Sequence, residues 1–474
     1  MTTEHDSSWA LLTDLYELTM AQSYVREGMF GQSTFSLFTR KMPSDRGYMV
    51  AAGLEDVLRY LQGLRFSSED LNYLRSTKLF TQDFLDYLAG FRFTGDVWAI
   101  PEGRLVFPNE PFLEVTGPIP EAQIAETYVI NQVHYQSLVA GKAARCLWAA
   151  QGRTLVDFGL RRTHGTDAGM KAARSAYAVG FTGTSNVLAG KEYGIPVAGT
   201  MAHSYVTAFT HEADAFRAYA RSFPDSSTFL IDTYDTVAGA RNAAIVAREM
   251  EASRHRLRAV RLDSGDLPAL SREVRQVLDQ AGLPYVHIFA SGGLDEDAIA
   301  ELVQAGTPID AFGIGTRLGT SADAPSMDMA YKLVRYEGRP VLKLSSGKVT
   351  LADEKQVYRR SNAEGAFVGD TIALRPSTEG LRHETLQDAG EPLLSRSWKA
   401  DTSWAQCHHW RISGGTFRRT SLSFRKATRP CTARPRSRYV SAQDLRSNSN
   451  VWSPDESGLA QELGPSTLLS SHAQ

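Results

Sequence analysis

The chain has 474 residues, 42% hydrophobic and 22% charged, enough for two packed domains of ordinary globular composition. A net charge of −2 offers no broad field for nucleic acid or anionic lipid, no apolar run reaches the roughly 18 residues of a membrane span, and the polar first nine residues lack the layout of a secretion signal. Three scattered cysteines, Cys146, Cys407 and Cys431, are too few for a disulfide framework or a zinc site, which leaves a cytoplasmic enzyme with no nucleic-acid or membrane partner as the expectation.

In chain order, residues 11–24 carry a helical pattern, 34–38 and 48–52 read as strands, and 54–64 is helical again. Strands are predicted at 96–100 and 113–116, punctuated by Pro101-Glu-Gly103 and Gly117-Pro118. Residues 1–145 are therefore predicted to form an α+β domain. From 146 to 330, apolar runs alternate with amphipathic stretches. The strands are predicted at 154–160, 195–200, 228–233, 259–263, 285–291 and 310–316, with helices such as 267–281 and 294–305 between them. Ser264-Gly265-Asp266 supplies a helix start, and Gly282 a stop. Such repetition predicts an α/β fold with a parallel barrel. An open doubly wound sheet is the alternative, disfavoured because no G-x-G-x-x-G follows the first strand. Residues 331–393 are predicted to add strands to the first domain, with a hairpin at Glu337-Gly338. From Ser395 onward the last 80 residues hold 15 Ser, with 12 Lys and Arg against 5 Asp and Glu. Without a buried face, this atypical tail over 394–474 is expected to be disordered rather than to serve as a nucleic-acid arm.

The chemistry gathers at the predicted strand ends. Ile195-Pro-Val-Ala-Gly-Thr-Met-Ala-His-Ser204 runs from apolar residues into Thr200 and His203. A lone histidine is usually structural, but small polar neighbours at a strand tip favour a base or phosphoryl acceptor here. In Arg261-Leu-Asp263-Ser-Gly-Asp266, strand alternation puts Arg261 and Asp263 on one side. The arginine suits a carboxylate or phosphate, and Asp263 suits holding it or a sugar hydroxyl; a purely structural ion pair is the alternative. Ala290-Ser-Gly292-Gly293 and Gly313-Ile-Gly315-Thr316 end two late strands in small residues whose amides suit phosphate. Phe158-Gly-Leu-Arg161-Arg162 adds an aromatic face and two cations at the first tip. No side-chain cluster suggests a metal site made by the protein alone.

Together these segments resemble nicotinate phosphoribosyltransferases. The matching stretches are Leu11-Leu-Thr-Asp-Leu-Tyr16, Phe158 to Arg162, Ser185-Asn-Val-Leu-Ala-Gly190, Val197 to Ser204, Ile231-Asp-Thr-Tyr234, Val260 to Asp266 and Phe312-Gly-Ile-Gly-Thr316, in family order over about residues 10 to 360. The resemblance implies an irregular (β/α) barrel beside an α+β sandwich domain built from the N-terminal segment and the residues after the barrel. The implied reaction joins nicotinate to 5-phosphoribosyl 1-diphosphate, coupled to ATP hydrolysis and dependent on Mg²⁺ carried with ATP or diphosphate. By the same resemblance, His203 is the transiently phosphorylated residue; Asp263, from its own place beside Arg261, is the second candidate catalytic residue. By the resemblance Tyr16, Phe158, Thr200 and Arg261 bind nicotinate, Arg161 contacts substrate or phosphate, and Gly315 and Thr316 hold the phosphoribosyl phosphate; Gly292 and Gly293 join them as phosphate-binding candidates on their strand-tip amides alone. Tyr16 comes from a partner subunit, so a homodimer with a shared site is expected. Ser185 stands where nicotinamide-using relatives carry an Asp, which favours the acid over the amide. The match fades after about Leu393. Quinolinate phosphoribosyl transfer and a catalytically disabled nucleotide-binding barrel are the rival functions.

Overall fold

The computed structural model describes residues 9–345, 348, 350–375 and 390–399. Two six-stranded sheets organise them. The first is antiparallel, in the order Arg339–Pro340, Met329–Tyr336, Gln32–Thr39, Pro111–Pro118, Asp96–Ala99 and Ser395–Trp398. Its strands come from both sides of the barrel in sequence, as expected. Phe35, Leu37, Val97, Leu113 and Val115 point into a core shared with Leu18 and Ala21 of the helix Leu15–Arg26 and with the helices Leu54–Gly63 and Gln82–Ala89. Beside it, Lys355–Ser361, Phe367–Leu374 and Glu391–Pro392 form a three-stranded sheet. In the hairpin after Tyr336, Glu337 and Gly338 both adopt positive φ, the mirror-image turn that follows the twist of paired strands.

The second sheet is parallel, in the order Gly183–Thr184, Thr154–Asp157, Ala311–Ile314, His287–Ala290, Ala259–Leu262 and Thr228–Leu230. The helices Thr166–Val179, Thr236–Ala252, Leu267–Gln280 and Glu296–Gln304 alternate with these strands and seal their outer apolar faces. Asp266 and Asp295 cap the last two helices by accepting from Ala269 N–H and Ala298 N–H. Five of the six predicted barrel strands prove shorter at their C-terminal tips, because the small and polar residues there turn away into loops instead of continuing the ladder. One predicted strand is a correction. Of residues 195–200 only Val197 pairs, through a single bridge to Thr184. Pro196 lacks an amide donor and Val197 is 55% exposed, so the segment cannot act as a buried central strand. Among the described residues nothing pairs that segment with Thr228–Leu230, and the barrel is irregular for this reason.

The domain boundary expected at 145 falls inside a continuous helix, Glu126–Ala149, that both lobes bury. Two ion networks join the lobes around it. Lys142 pairs with Glu296 and Asp323, while Arg46 and Arg145 also hold Asp323. Against burial, these cations keep the Asp323 carboxyl far below the usual range. Arg174, fully buried, pairs with Glu55 and Glu102, and Lys171 with Asp56. Such pairs fix relative orientation more than they add stability. A further correction concerns the tail, expected to begin at 394: Ser395–Trp398 is a strand, with Trp398 buried against the first sheet. The disorder expected beyond it falls on residues 400–474, outside the described residues. Among those described, no helix is long and apolar enough to cross a membrane.

The first helix begins at Leu15, not at 11, because Thr13 and Asp14 engage Glu17 and Thr127 through their side chains. Glu17 is fully buried, and burial pushes its carboxyl up to about 7 despite donation from Thr127 and Thr13. A folded-state value above the unfolded one stabilises the fold at low pH, and that contribution is lost as pH rises through 7. Wild-type Tm should therefore fall between about pH 5 and 8 relative to a Glu17→Gln variant. A parallel pair of Tm profiles would refute this.

Candidate active site

The C-terminal tips of the parallel strands converge on Arg261. Its register partner across the sheet is Phe289, so the residues that alternate with Phe289 flank the arginine. Arg261 Nε donates to Ser291 Oγ at 2.8 Å, Nη2 to Asp263 Oδ1 at 2.6 Å, and Nη1 to Thr200 Oγ1 at 3.1 Å and to the Met201 carbonyl at 3.4 Å. Ser291 Oγ donates in turn to Asp263 Oδ1 at 2.5 Å, closing a ring of three side chains. The guanidinium lies 5.5 Å from the centroid of the Phe158 ring. That ring sits 5.6 Å from Phe289, and both press on Gly313, where a Cβ would meet Phe158 at 2.7 Å and Phe289 at 2.9 Å. Gly313 is therefore the glycine that lets the two aromatic rings occupy the barrel mouth.

His203 opens the short helix His203–Thr207 instead of ending a strand. Its Nδ1 lies 3.1 Å from Thr233 Oγ1, and its Nε2 lies 3.9 Å from Asp263 Oδ2. Burial pushes the Asp263 carboxyl up, but donation from Ser291 and the charges of Arg261 and His203 outweigh it and hold the group below its usual range. Asp232 braces the same tip: its Oδ2 accepts from Asp263 N–H at 2.9 Å and from Ser264 Oγ at 2.6 Å. Gly292 packs on the Asp263 carbonyl with φ +92°, and Gly293 follows at φ +67°. The amides of both glycines have no acceptor among the described residues. Gly315 lies against the Phe158 carbonyl, and Thr316 is exposed at the start of the helix Thr316–Gly319.

One continuous chain of contacts thus links His203, Asp263, Arg261, Phe158 and the glycine turns. An aromatic shelf, a single engaged guanidinium, a carboxylate and an imidazole suit an anionic heteroaromatic substrate beside phosphate groups.

Residues 11–134 match the nicotinate phosphoribosyltransferase (NAPRTase) N-terminal domain, and residues 153–362 match the nicotinate phosphoribosyltransferase (NAPRTase) family. Nicotinate phosphoribosyltransferase pncB2 of Mycobacterium tuberculosis is 53% identical over 385 residues, 81% of each chain. The nicotinate phosphoribosyltransferase of Bacillus subtilis is 44% identical over 378 residues, 78% of this chain and 77% of its own. The chain belongs to the nicotinate phosphoribosyltransferase family. The crystal structure of human nicotinic acid phosphoribosyltransferase matches the fold with a TM-score of 0.75 at 30% identity, covering 90% of this chain and 96% of that one.

Of the candidate residues named from the sequence, His203, Asp263, Arg261, Thr200, Phe158, Gly292, Gly293 and Gly315 fall together. Arg161 stands exposed in the turn Leu160–Arg162, just after Phe158, with no ion pair among the described residues. Tyr16 lies apart, 46% exposed on the N-terminal helix, with Glu126 as its neighbour. Four members of this cluster in the nicotinate phosphoribosyltransferase fold escaped the sequence: Ser291, Phe289, Thr233 and Asp232. Phe289 and Ser291 alternate on one strand and its tip, a period-2 signal that was present; Asp232 and Thr233 sit inside a matched motif with nothing in the spacing to say what they touch.

Proposed function

We propose that this chain transfers the phosphoribosyl group of 5-phosphoribosyl 1-diphosphate to nicotinate, releasing diphosphate and nicotinate mononucleotide for NAD salvage, with ATP hydrolysed through phosphohistidine at His203. The observation that carries the proposal is the Arg261 guanidinium, fixed by Ser291, Asp263 and Thr200 over the Phe158 ring. Its protein partners leave one Nη2 N–H without an acceptor. The nicotinate carboxylate takes that donor, and a second by displacing the 3.4 Å contact from Nη1 to the Met201 carbonyl. Its ring then rests against Phe158, with the ring nitrogen free to attack the ribose carbon as diphosphate departs. Ser185, uncharged, spares the carboxylate a repulsion that an Asp would impose, which supports the acid as substrate over the amide.

Departure of diphosphate builds positive charge on the ribose and negative charge on the leaving group. The free amides of Gly292 and Gly293, the Gly315–Thr316 turn and the unpaired Arg161 supply phosphate contacts around that position. Magnesium brought in with ATP or diphosphate would neutralise the leaving group. Among the described residues no three ligating side chains cluster for a metal. The donor set fits a hydrated ion held by its phosphates, to which Asp263 and the buried, unpartnered Oδ1 of Asp232 would offer acceptors for bound water. Exposure of Tyr16 beside Leu12, Leu15 and Met20 supports a homodimer in which this helix covers the partner's mouth. The same reading assigns the chain to the cytoplasm, where ATP is at hand.

The test is to incubate the protein with phosphoribosyl diphosphate, Mg²⁺ and each of nicotinate, nicotinamide and quinolinate, with and without ATP. Nicotinate mononucleotide is expected, in larger yield with ATP. A His203→Ala variant should lose the ATP-dependent increment and form no phosphohistidine while retaining slow ATP-independent turnover. Undiminished ATP stimulation in that variant, or preference for quinolinate, would overturn the proposal.

A further inference from the structure

Asp157 ends the strand Thr154–Asp157 and is buried, yet among the described residues it makes no ion pair. Burial pushes its carboxyl up, against donation from two groups. Oδ1 accepts from the Gly159 amide at 2.8 Å, and Oδ2 from the Thr184 hydroxyl at 2.7 Å. A carboxylate buried without a cation is costly, so its place calls for a task that needs two acceptors on one side chain. Gly159 belongs to the turn that follows Phe158. Thr184 ends the strand Gly183–Thr184, the shortest of the parallel sheet, and is the register partner of Asp157. The side-chain bond therefore reinforces the ladder where it is weakest.

What hangs on Thr184 is the segment 195–200. Thr184 N–H donates to the Pro196 carbonyl at 3.0 Å, and the Thr184 carbonyl accepts from Ala198 N–H at 2.9 Å. Among the described residues, these are the only backbone hydrogen bonds that tie 195–200 to the rest of the chain. Gly183 permits the approach, since a Cβ there would lie 2.6 Å from the Pro196 carbonyl oxygen. Ile195 packs with Ala173 and Ala189, which fixes the start of the segment and leaves its far end to that one bridge. At the far end, Thr200 Oγ1 accepts from Arg261 Nη1. A short line of contacts thus runs from Asp157 through Thr184 to the guanidinium.

We propose that Asp157 is a positioning residue for nicotinate, holding Thr184 so that the 195–200 segment presents Thr200 to the Arg261 guanidinium. The inference rests on the reading of Arg261 as the site of the nicotinate carboxylate. Three side chains aim that guanidinium. Asp263 and Ser291 each stand one residue past a four-residue strand of the sheet, whereas Thr200 stands on the segment with a single bridge. Fixing this third partner fixes the rotation of the fork, and with it the N–H left for substrate. The Thr184 hydroxyl donates to Asp157 and accepts from Asn186 N–H at 3.0 Å, so a serine keeps both bonds and a valine neither. An Asn at 157 offers one acceptor where two donors arrive.

The test compares wild type with Asp157→Asn, Thr184→Val and Thr184→Ser by steady-state kinetics without ATP, alongside Tm. Asp157→Asn and Thr184→Val should raise KM for nicotinate roughly tenfold, the effect of one hydrogen bond to a charged group, while kcat and KM for phosphoribosyl diphosphate stay within about twofold. Thr184→Ser should behave as wild type. Should Thr184→Val fail to fold, Asp157→Asn carries the comparison alone. An unchanged KM for nicotinate, even with a lower Tm, overturns the inference, and so does an equal rise in KM for phosphoribosyl diphosphate. If wild type forms no nicotinate mononucleotide, the functional reading fails, and hydrogen exchange at the Ala198 amide decides the hold of Asp157 on the segment. Faster exchange in Asp157→Asn and Thr184→Val than in wild type and Thr184→Ser supports that hold, and equal exchange in all four overturns it.

Discussion

Replacing Arg261 by alanine is expected to lower kcat/KM for nicotinate by roughly a thousandfold, the consequence of removing one member of a largely buried, hydrogen-bonded ion pair together with the substrate's counter-charge. Two effects combine. The nicotinate carboxylate loses its cation, and Asp263 loses the partner that helps hold its carboxyl low beside His203. Ser291 and Thr200 also each lose a bonded donor. Lysine is not expected to rescue, because its single ammonium cannot reach Ser291, Asp263 and Thr200 at once while lying on the Phe158 ring. Steady-state kinetics with nicotinate and nicotinamide check the point. The loss should be far larger for the acid, and a decrease below about tenfold would remove Arg261 from the binding role.

Gly292→Ala is the second substitution with a large expected effect. A Cβ at that position would lie 2.0 Å from the Asp263 carbonyl oxygen and 2.9 Å from its carbon, with φ at +92°. Both obstacles are backbone, so no side-chain rotation relieves them. The tip that carries Asp263 must move, and a displacement of about an ångström at a reacting geometry costs on the order of a hundredfold in rate. Gly293→Ala provides the internal control. Its φ of +67° carries strain of about 1 kcal/mol, but nothing lies within 4 Å of the added carbon. We expect a marked fall in both Tm and kcat/KM for Gly292→Ala and a small fall in Tm alone for Gly293→Ala. Equal behaviour of the two variants would show that close approach to Asp263 is not what the glycine provides.

The parts of this site that were legible share a local cause. Arg261 and Asp263 are two residues apart at the end of one strand, and the alternation carried one residue past it places them together. The Glu337-Gly338 turn and the Asp266 cap likewise depend on chemistry within a few residues. What stayed hidden depends on distant partners. Helix Glu126–Ala149 is buried on nearly every side, so it shows no polar stripe to mark its period. Residues 195–200 looked like a strand because their apolar run was legible and the absence of a second neighbour was not. Ser291 and Thr233 are residue types found everywhere; their importance appears only when the fold brings Asp263 within 2.5 Å of one and His203 within 3.1 Å of the other.

The strand Ser395–Trp398 carries a consequence for how the molecule is made. It lies along Asp96–Ala99, and Arg396 meets Asp96 across 300 positions of sequence. On a translating ribosome the catalytic lobe has emerged once residue 319 is out, yet the scaffold beside it still waits for its outermost ribbon. During that interval the rim formed by Val97 and Trp98 is bare, the kind of edge that chaperones cover or that a second nascent chain captures. A message truncated before codon 395 would therefore release a polypeptide with its chemistry assembled and its flank unsealed, and such a product would be lost to aggregation rather than to a missing catalytic group.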